Sequence, residues 1–298
     1  MMQDTVLFKN GLPYYTDLTA LPDSRVMRPA GTVRELWNAV LQKQTRGCAA
    51  TAALATMLMR SCAERQDDGN PAAARYELQK TAKALLELPK ADPLLKSAVN
   101  KMLCAVESGN DIRSIKTVAA AECDALLLEN ISICRSIGKN TLKVLKGIDS
   151  VMTVGEGGAL TAIRYGTALS FVYAAKQSKK RFKLICCRGE GEIKHTFLTH
   201  QELCEQNTDH TIIADADIAS AMQAGAAKAV VAPLDNASGG ILQAAICAKH
   251  YGIPFYICAP YESVSHTLSG PTDATECMLD PKLITGFITE REIYIPKA

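Results

Sequence analysis

Residues 210–260 read HTIIADADIASAMQAGAAKAVVAPLDNASGGILQAAICAKHYGIPFYICAP, and their rhythm decides the fold class. Three short β-prone runs, HTIIAD, KAVVAP and PFYICAP, are separated by two helix-forming stretches, DIASAMQAG and GGILQAAICAKHYG. The runs are nearly continuous in apolar residues, as in strands covered on both faces, rather than alternating as in a half-exposed sheet. Strand, helix and strand at this spacing predict a parallel sheet with helical crossovers. The same pattern extends toward the N-terminus through a helix near Gln201, FKLICC (182–187), ALTAIRYGTALSFVYAA (159–175), read as helical, and DSVMTV (149–154).

Before Lys146 the rhythm changes. From about Thr32 to Lys146 apolar residues recur at helical spacing, as at Leu36, Val40 and the run Ala49–Met59. The DGNP segment (68–71) predicts a turn, Leu88-Pro89 ends the next helix, and Ile112–Ser136 reads as one long helix. Residues 5–16, TVLFKNGLPYYT, place Asn10-Gly11 between two β-prone runs, the signal of a tight hairpin. The expected architecture is α/β, in two parts. A hairpin and helical N-terminal domain spans 1–147, and a doubly wound, Rossmann-like parallel-sheet domain spans 148–298.

Composition narrows the function classes. The chain has 298 residues, 48% hydrophobic and 21% charged, with a formal net charge of +2. So small a charge argues against bare nucleic acid or an anionic membrane as partner. No apolar run reaches the roughly 18 to 20 residues of a membrane span. The start, MMQDTVLFKNG, lacks a basic segment followed by a long apolar one, so a cytoplasmic protein is expected. Eleven cysteines show no C-x-x-C spacing, and most lie in apolar segments, which predicts reduced, buried thiols. The five histidines show no metal-ligand spacing on one helix face, and there is no Walker loop and no G-x-S-x-G elbow. No metal and no cofactor are expected.

Ligands of an open parallel sheet sit at strand carboxyl ends. Three such ends stand out. Val154-Gly155-Glu156-Gly157-Gly158 has glycines that permit close backbone approach, or that simply form a tight turn. Arg188-Gly189-Glu190-Gly191-Glu192 is a charged loop, functional or merely solvated, with Lys194 and His195 just beyond it. Pro233 to Gly240 carries Asp235 and Asn236, as site residues or as caps of the next helix. In the helical half, Arg46-Gly47 opens a small-residue helix and suits an anion, or is a surface arginine before a packing helix.

These segments resemble, in order, those of the methylthioribose-1-phosphate isomerase and initiation-factor-2B family. TRGCAATAALA is similar to VRGAPAIGIAAA. VMTVGEGGALTAIRYGTAL is similar to the ILTHCNSG strand-loop followed by a helix with YGTAL. FLTHQEL resembles R-L-T-x-x-E-L, IIADADIASAMQAG the D-x-A and M-x-x-G segment, and KAVVAPLD the strand DAVIVGAD. PFYICAP resembles PFYVAAP, and the tail DPKLITGFITEREIYIP resembles T-P-x-L-I-T-x-I-I-T-E. The resemblance runs from about Thr45 to Pro296.

The resemblance implies an isomerase fold in which a Cys and an Asp interconvert aldose and ketose phosphates. The Asp falls on Asp235. The Cys falls on Gly155, an Arg on Glu190 and a neighbouring Gln on Lys194, while the Arg of R-G-A-P is retained as Arg46. After Asp235 the chain is shorter than the family by about two helical turns. Glycine cannot shuttle a proton, so Glu156 is the expected second acid or base beside Asp235. Gly47, Gly155, Gly157, Gly158, Lys194 and Asn236 would join Arg46 around a sugar or sugar phosphate. The alternatives are a non-catalytic regulatory protein like initiation-factor-2B subunits, or a structural subunit with an eroded site. The resemblance also implies a homodimer.

Overall fold

The computed structural model describes residues 4–67, 69–89, 92–188, 193–234, 239–269 and 279–296. It divides into two compact units: Met1–Ile131 with Leu160–Arg164, and Ser132–Ala159 with Tyr165–Ala298.

In the first unit, β1 (Val6–Lys9) and β2 (Leu12–Thr16) form an antiparallel hairpin with Lys9 opposite Leu12. Asn10 and Gly11 at its tip have φ of +52° and +74°. A two-residue turn with both φ positive matches the twist of the strands, and Asn and Gly enter that region at least cost. β3 (Met27–Pro29) pairs with β2 on its other edge. Four helices follow: α1 (Val33–Leu41), α2 (Cys48–Glu64), α3 (Pro71–Leu86) and α4 (Pro93–Glu107). Their starts follow from capping chemistry. Thr32 and Glu35 form a reciprocal capping box on α1. Asn70 and Asp92 accept from first-turn N–H groups of α3 and α4, with Pro71 and Pro93 just inside. Helix α2 is apolar nearly all round and therefore central. Its Leu54, Met57, Leu58 and Met59 pack with Leu36, Leu78, Leu95 and Met102. The long helix α5 (Ile112–Val144) extends past the expected Ser136 and contributes its last turns to the second unit.

Among its described residues the second unit holds seven strands: β4 (Ser150–Thr153), β5 (Lys183–Arg188), β6 (His210–Ala214), β7 (Ala229–Pro233), β8 (Phe255–Cys258), β9 (Gly286–Ile288) and β10 (Ile293–Tyr294). Their order is β10-β9-β8-β7-β4-β5-β6, parallel except for β10. The helices are α6 (Ser170–Gln177), α7 (Ile193–Glu205), α8 (Ile218–Gln223), α9 (Gly239–Tyr251) and α10 (Tyr261–Ser269). Alternate strand residues go to opposite faces. Val151, Leu184, Cys186 and Val231 pack with Ile137, Phe171, Val172 and Leu203. Met152, Ile185, Val230 and Ile257 pack with Met222, Ile241, Ala244 and Ala248. Both faces are apolar because both are covered, which is why the strands read as unbroken apolar runs.

One expected element differs. Residues 159–175 do not form one helix: a single 3-10 turn (Ala159–Thr161) is followed by turns, and α6 begins only at Ser170. Tyr165 and Gly166 have φ of +72° and +70°, which breaks any helix through them. No helix among the described residues is long and apolar enough to cross a membrane.

Candidate functional site

The winding reverses between β4 and β7, which are adjacent strands reached from opposite directions along the chain. The crevice outside the carboxyl ends of such a pair is where a doubly wound sheet takes its ligand. From β4 comes Val154-Gly155-Glu156; from β7 comes Pro233-Leu234. Asp235 and Asn236, next in sequence, lie outside the described residues.

Gly155 has φ of +83°, and a Cβ on it would stand 2.9 Å from Ile241 Cδ1 and 3.3 Å from Pro233 Cδ and Cγ. The loop after β4 thus packs directly on the last residue of β7 and the first turn of α9. At the position where the resemblance places a cysteine, the backbone is one that L side chains rarely adopt, and a Cβ would require Ile241 and Pro233 to give way. Glu156, half-buried, follows it. The helix expected to follow it is replaced at its start by the single 3-10 turn, and that turn is capped by another group.

That group is Glu202 of α7, a buried carboxylate with 4% exposure. Its Oε1 accepts from the Ala159 backbone N–H (3.0 Å) and from the Tyr173 hydroxyl (2.7 Å). A Cβ on Gly158 would lie 2.1 Å from Glu202 Oε2, and one on Gly157 would lie 2.4 Å from the Ala168 Cβ. The space beside these two glycines, expected to be open to a ligand, is filled by protein. The carbonyl of Gly157 accepts from the N–H groups of Thr167 and Leu169, at 2.9 and 3.0 Å, which closes the loop on itself. Sequence reading passed over Glu202, although a signal existed. It falls between Leu198 and Leu203 on the buried stripe of α7, and a carboxylate in an apolar stripe needs partners.

Asp215, just past β6, stands at the start of α9. A Cβ on Gly240 would lie 2.2 Å from its Oδ2, and Gln243 Nε2 donates to its carbonyl at 2.9 Å. A carboxylate is favourable at a helix N-terminus. Burial, with the Asp215 carboxylate nearby, pushes the Cys187 thiol up.

In the first unit, Arg46 is half-buried and immediately precedes Gly47, the N-cap of α2. Gly47 has φ of +84° and offers no side-chain cap, and the first turn of α2 carries no acidic residue. A Cβ on Gly47 would overlap the Thr161 carbonyl at 1.8 Å, so glycine lets Leu160–Arg164 pass. That segment is tied to the start of the chain. Thr5 N–H donates to the Ile163 carbonyl (3.1 Å), and Arg164 grips Asp4 with two bonds of 2.5 and 2.7 Å. The structure therefore gathers Gly155, Pro233 and Ile241 in the second unit, with Glu156 adjoining, and Arg46, Gly47 and Thr161 in the first. Lys194 lies in the first turn of α7, and Gly189 to Glu192 lie outside the described residues.

Known proteins match nearly the whole chain. The methylthioribose-1-phosphate isomerase of Bacillus licheniformis is 28% identical over 257 residues, covering 84% of this chain and 73% of that protein. The 5-deoxyribose 1-phosphate isomerase of Moorella thermoacetica is 28% identical over 292 residues, covering 95% and 83%. Two solved structures share the fold. The 5-methylthioribose 1-phosphate isomerase of Pyrococcus horikoshii OT3 superposes with a TM-score of 0.88 at 21% identity, covering 99% of this chain and 93% of that one. The eIF-2B delta subunit of A. fulgidus gives 0.83 at 23% identity, covering 99% and 96%. The model of the Initiation factor 2 subunit family matches residues 44–284, and the chain belongs to that family.

Proposed function

We propose that the chain binds a pentose phosphate-type sugar and acts on it as an aldose–ketose isomerase with non-standard acid–base residues. The observation that carries this reading is the crevice at the reversal of winding. On the β4 side Glu156 follows in sequence a Gly155 that packs on Pro233 and Ile241, and on the β7 side Asp235 follows Pro233 by two residues. Relatives along most of the chain bear the names of sugar 1-phosphate isomerases. An aldose and its ketose differ by hydrogens moved between two carbons, so one group must take a proton and another return it. Glu156 and Asp235 are the proposed pair. Two carboxylates can divide such work when their surroundings separate their pKa values. Arg46, beside the start of α2 with its glycine N-cap, is the proposed phosphate ligand. Lys194, Asn236 and the backbone at Gly47 and Gly155 complete the proposed contacts. The protein would work as a homodimer in a reducing cytoplasm, in keeping with ten free cysteines among the described residues.

A second reading, ligand binding without turnover, has one observation in its favour: Gly155 packs against Ile241 and Pro233, where a cysteine would be strained. Thermal-shift titration with 5-deoxyribose 1-phosphate and methylthioribose 1-phosphate, followed by a coupled assay, separates the two. Binding raises the melting temperature by mass action. Methylthioribose 1-phosphate is expected to fall short of the usual turnover range of about 1 to 10³ per second. On whichever sugar phosphate is turned over, Glu156→Gln should lower the rate by roughly 10² to 10⁴ with the melting temperature kept. A thermal shift without turnover selects the regulatory reading. No shift with any pentose phosphate defeats both.

A further inference from the structure

The outer surface of α7 carries a cluster with no part in the proposed isomerase site. His200 and Cys204 are four residues apart on this helix, so they share a face one turn apart. His210, the first residue of β6, joins them through the 206–209 turn. One ligand atom from each residue can be chosen so that all three lie within 4.8 Å of one another. Cys204 Sγ is 3.7 Å from both ring nitrogens of His200, and His200 Nδ1 is 2.7 Å from His210 Nε2. A search for paired histidines along one helix misses this set, because it mixes a thiol with imidazoles and its third member comes from a strand.

We propose that His200, Cys204 and His210 form a binding site for a borderline-soft divalent cation, with Zn²⁺ as the best match. Two imidazoles and a thiolate are its ligand types, whereas the oxygen ligands that Mg²⁺ and Ca²⁺ require are not part of the set. Zn–N bonds near 2.0 Å and Zn–S near 2.3 Å put tetrahedral N···S edges at about 3.6 Å and N···N edges at about 3.3 Å. The Cys204 Sγ–His200 Nδ1 contact of 3.7 Å already fits. The imidazole pair at 2.7 Å is a hydrogen bond, and the rings must part by about 0.6 Å to admit the ion.

The second shell is in place. His210 Nδ1 lies 2.7 Å from the Thr208 carbonyl, which can only accept, so this nitrogen holds the proton and Nε2 presents its lone pair to the cluster. Fixing an imidazole through a backbone carbonyl is the usual way a metal ligand is oriented. The bridging proton is then on His200 Nδ1. On binding, it moves to His200 Nε2 and Cys204 gives its proton to solvent, leaving a thiolate, two neutral imidazoles and a fourth position for water. The ion would pin the last turn of α7 to the start of β6. The opposite face of α7 holds Glu202 against the glycine loop, so the clamp would steady that carboxylate.

The test uses the full-length, reduced, metal-stripped protein titrated with Zn²⁺ alone and with Co²⁺ alone. One Zn²⁺ per chain should bind, and the Co²⁺ form should show a thiolate-to-cobalt charge-transfer band. Bound Zn²⁺ should shield Cys204 from iodoacetamide, read by peptide mass spectrometry, while the exposed Cys48 and Cys104 stay reactive. Cys204→Ser should abolish the band, and both it and His210→Ala should weaken Zn²⁺ binding at least about 10-fold. Cys204→His, which keeps a ligand, should retain Zn²⁺ and lose the band. Unchanged affinity in Cys204→Ser and His210→Ala, or equal alkylation of Cys204 with and without Zn²⁺, would overturn the proposal.

Discussion

Introducing a cysteine at position 155, where the resemblance places one, is the sharpest probe of the crevice. Gly155 has φ of +83°, a conformation that costs an L-residue roughly 1 to 2 kcal/mol. Its new Cβ would meet Ile241 Cδ1 at 2.9 Å, the mobile end of a side chain, and Pro233 Cδ and Cγ at 3.3 Å, part of a fixed ring. Overpacking of this kind adds about 1 to 3 kcal/mol. Gly155→Cys should therefore lose about 2 to 5 kcal/mol in urea unfolding followed by circular dichroism. Ile241→Val removes only the offending Cδ1 and by itself costs about 0.5 to 1.5 kcal/mol. In the double variant the two losses should not add: the steric part is relieved and the backbone part remains, a coupling of about 1 kcal/mol. A Gly155→Cys protein within about 0.5 kcal/mol of the parent, with no coupling to Ile241→Val, would refute the reasoning. Position 155 would then accept a cysteine.

Other perturbations bear on the neighbouring parts. Gly158→Ala drives a Cβ into Glu202, and because it disturbs the hydrogen bonds of that buried carboxylate it should cost about 2 to 4 kcal/mol; a melting temperature equal to the parent's would contradict the packing described. Asp17 is a buried carboxylate whose pKa burial alone would raise, but hydrogen bonds from Thr19 and from the Arg28 guanidinium (2.5 Å) hold it below the usual carboxylate value. Its contribution is thus present above the unfolded value near pH 4 and lost as the pH falls through and below it, and Asp17→Asn should cost about 2 kcal/mol at neutral pH and flatten that acid-side slope. Burial pushes the Cys123 thiol up to about 11 and those of Cys134, Cys186 and Cys258 to about 12. Iodoacetamide at neutral pH should label Cys48 and Cys104 long before these four, and early labelling of Cys258 would place the sheet core wrongly.

Local chemistry made much of this legible. Asn10-Gly11 turns a hairpin because few other pairs take two positive φ values cheaply. Asn70-Pro71 and Asp92-Pro93 start helices because each supplies an acceptor for orphan N–H groups and a ring already set to helical φ. The apolar runs announced a sheet covered on both sides. The misreading at 159–175 has the opposite cause. Its residues favour a helix by composition, but the chain leaves the second unit there for Leu160–Arg164, and the left-handed Tyr165-Gly166 pair brings it back. Close approach to Gly47 and the Arg164–Asp4 pair overrode local propensity, and neither partner is near in sequence.

The sequence by itself determined the fold class, the family and the position of the strand-end loops, because periodicity, caps and turns act between residues a few positions apart. Only the tertiary structure decided what those loops can do. It set β4 beside β7, so that Gly155 packs on Pro233 and Ile241 and a side chain there would crowd neighbours about eighty residues away. It put the Glu202 carboxylate against Gly158, and it brought His210 within reach of His200 and Cys204. Sterics and polar satisfaction act at ångström range in space and are blind to separation along the chain.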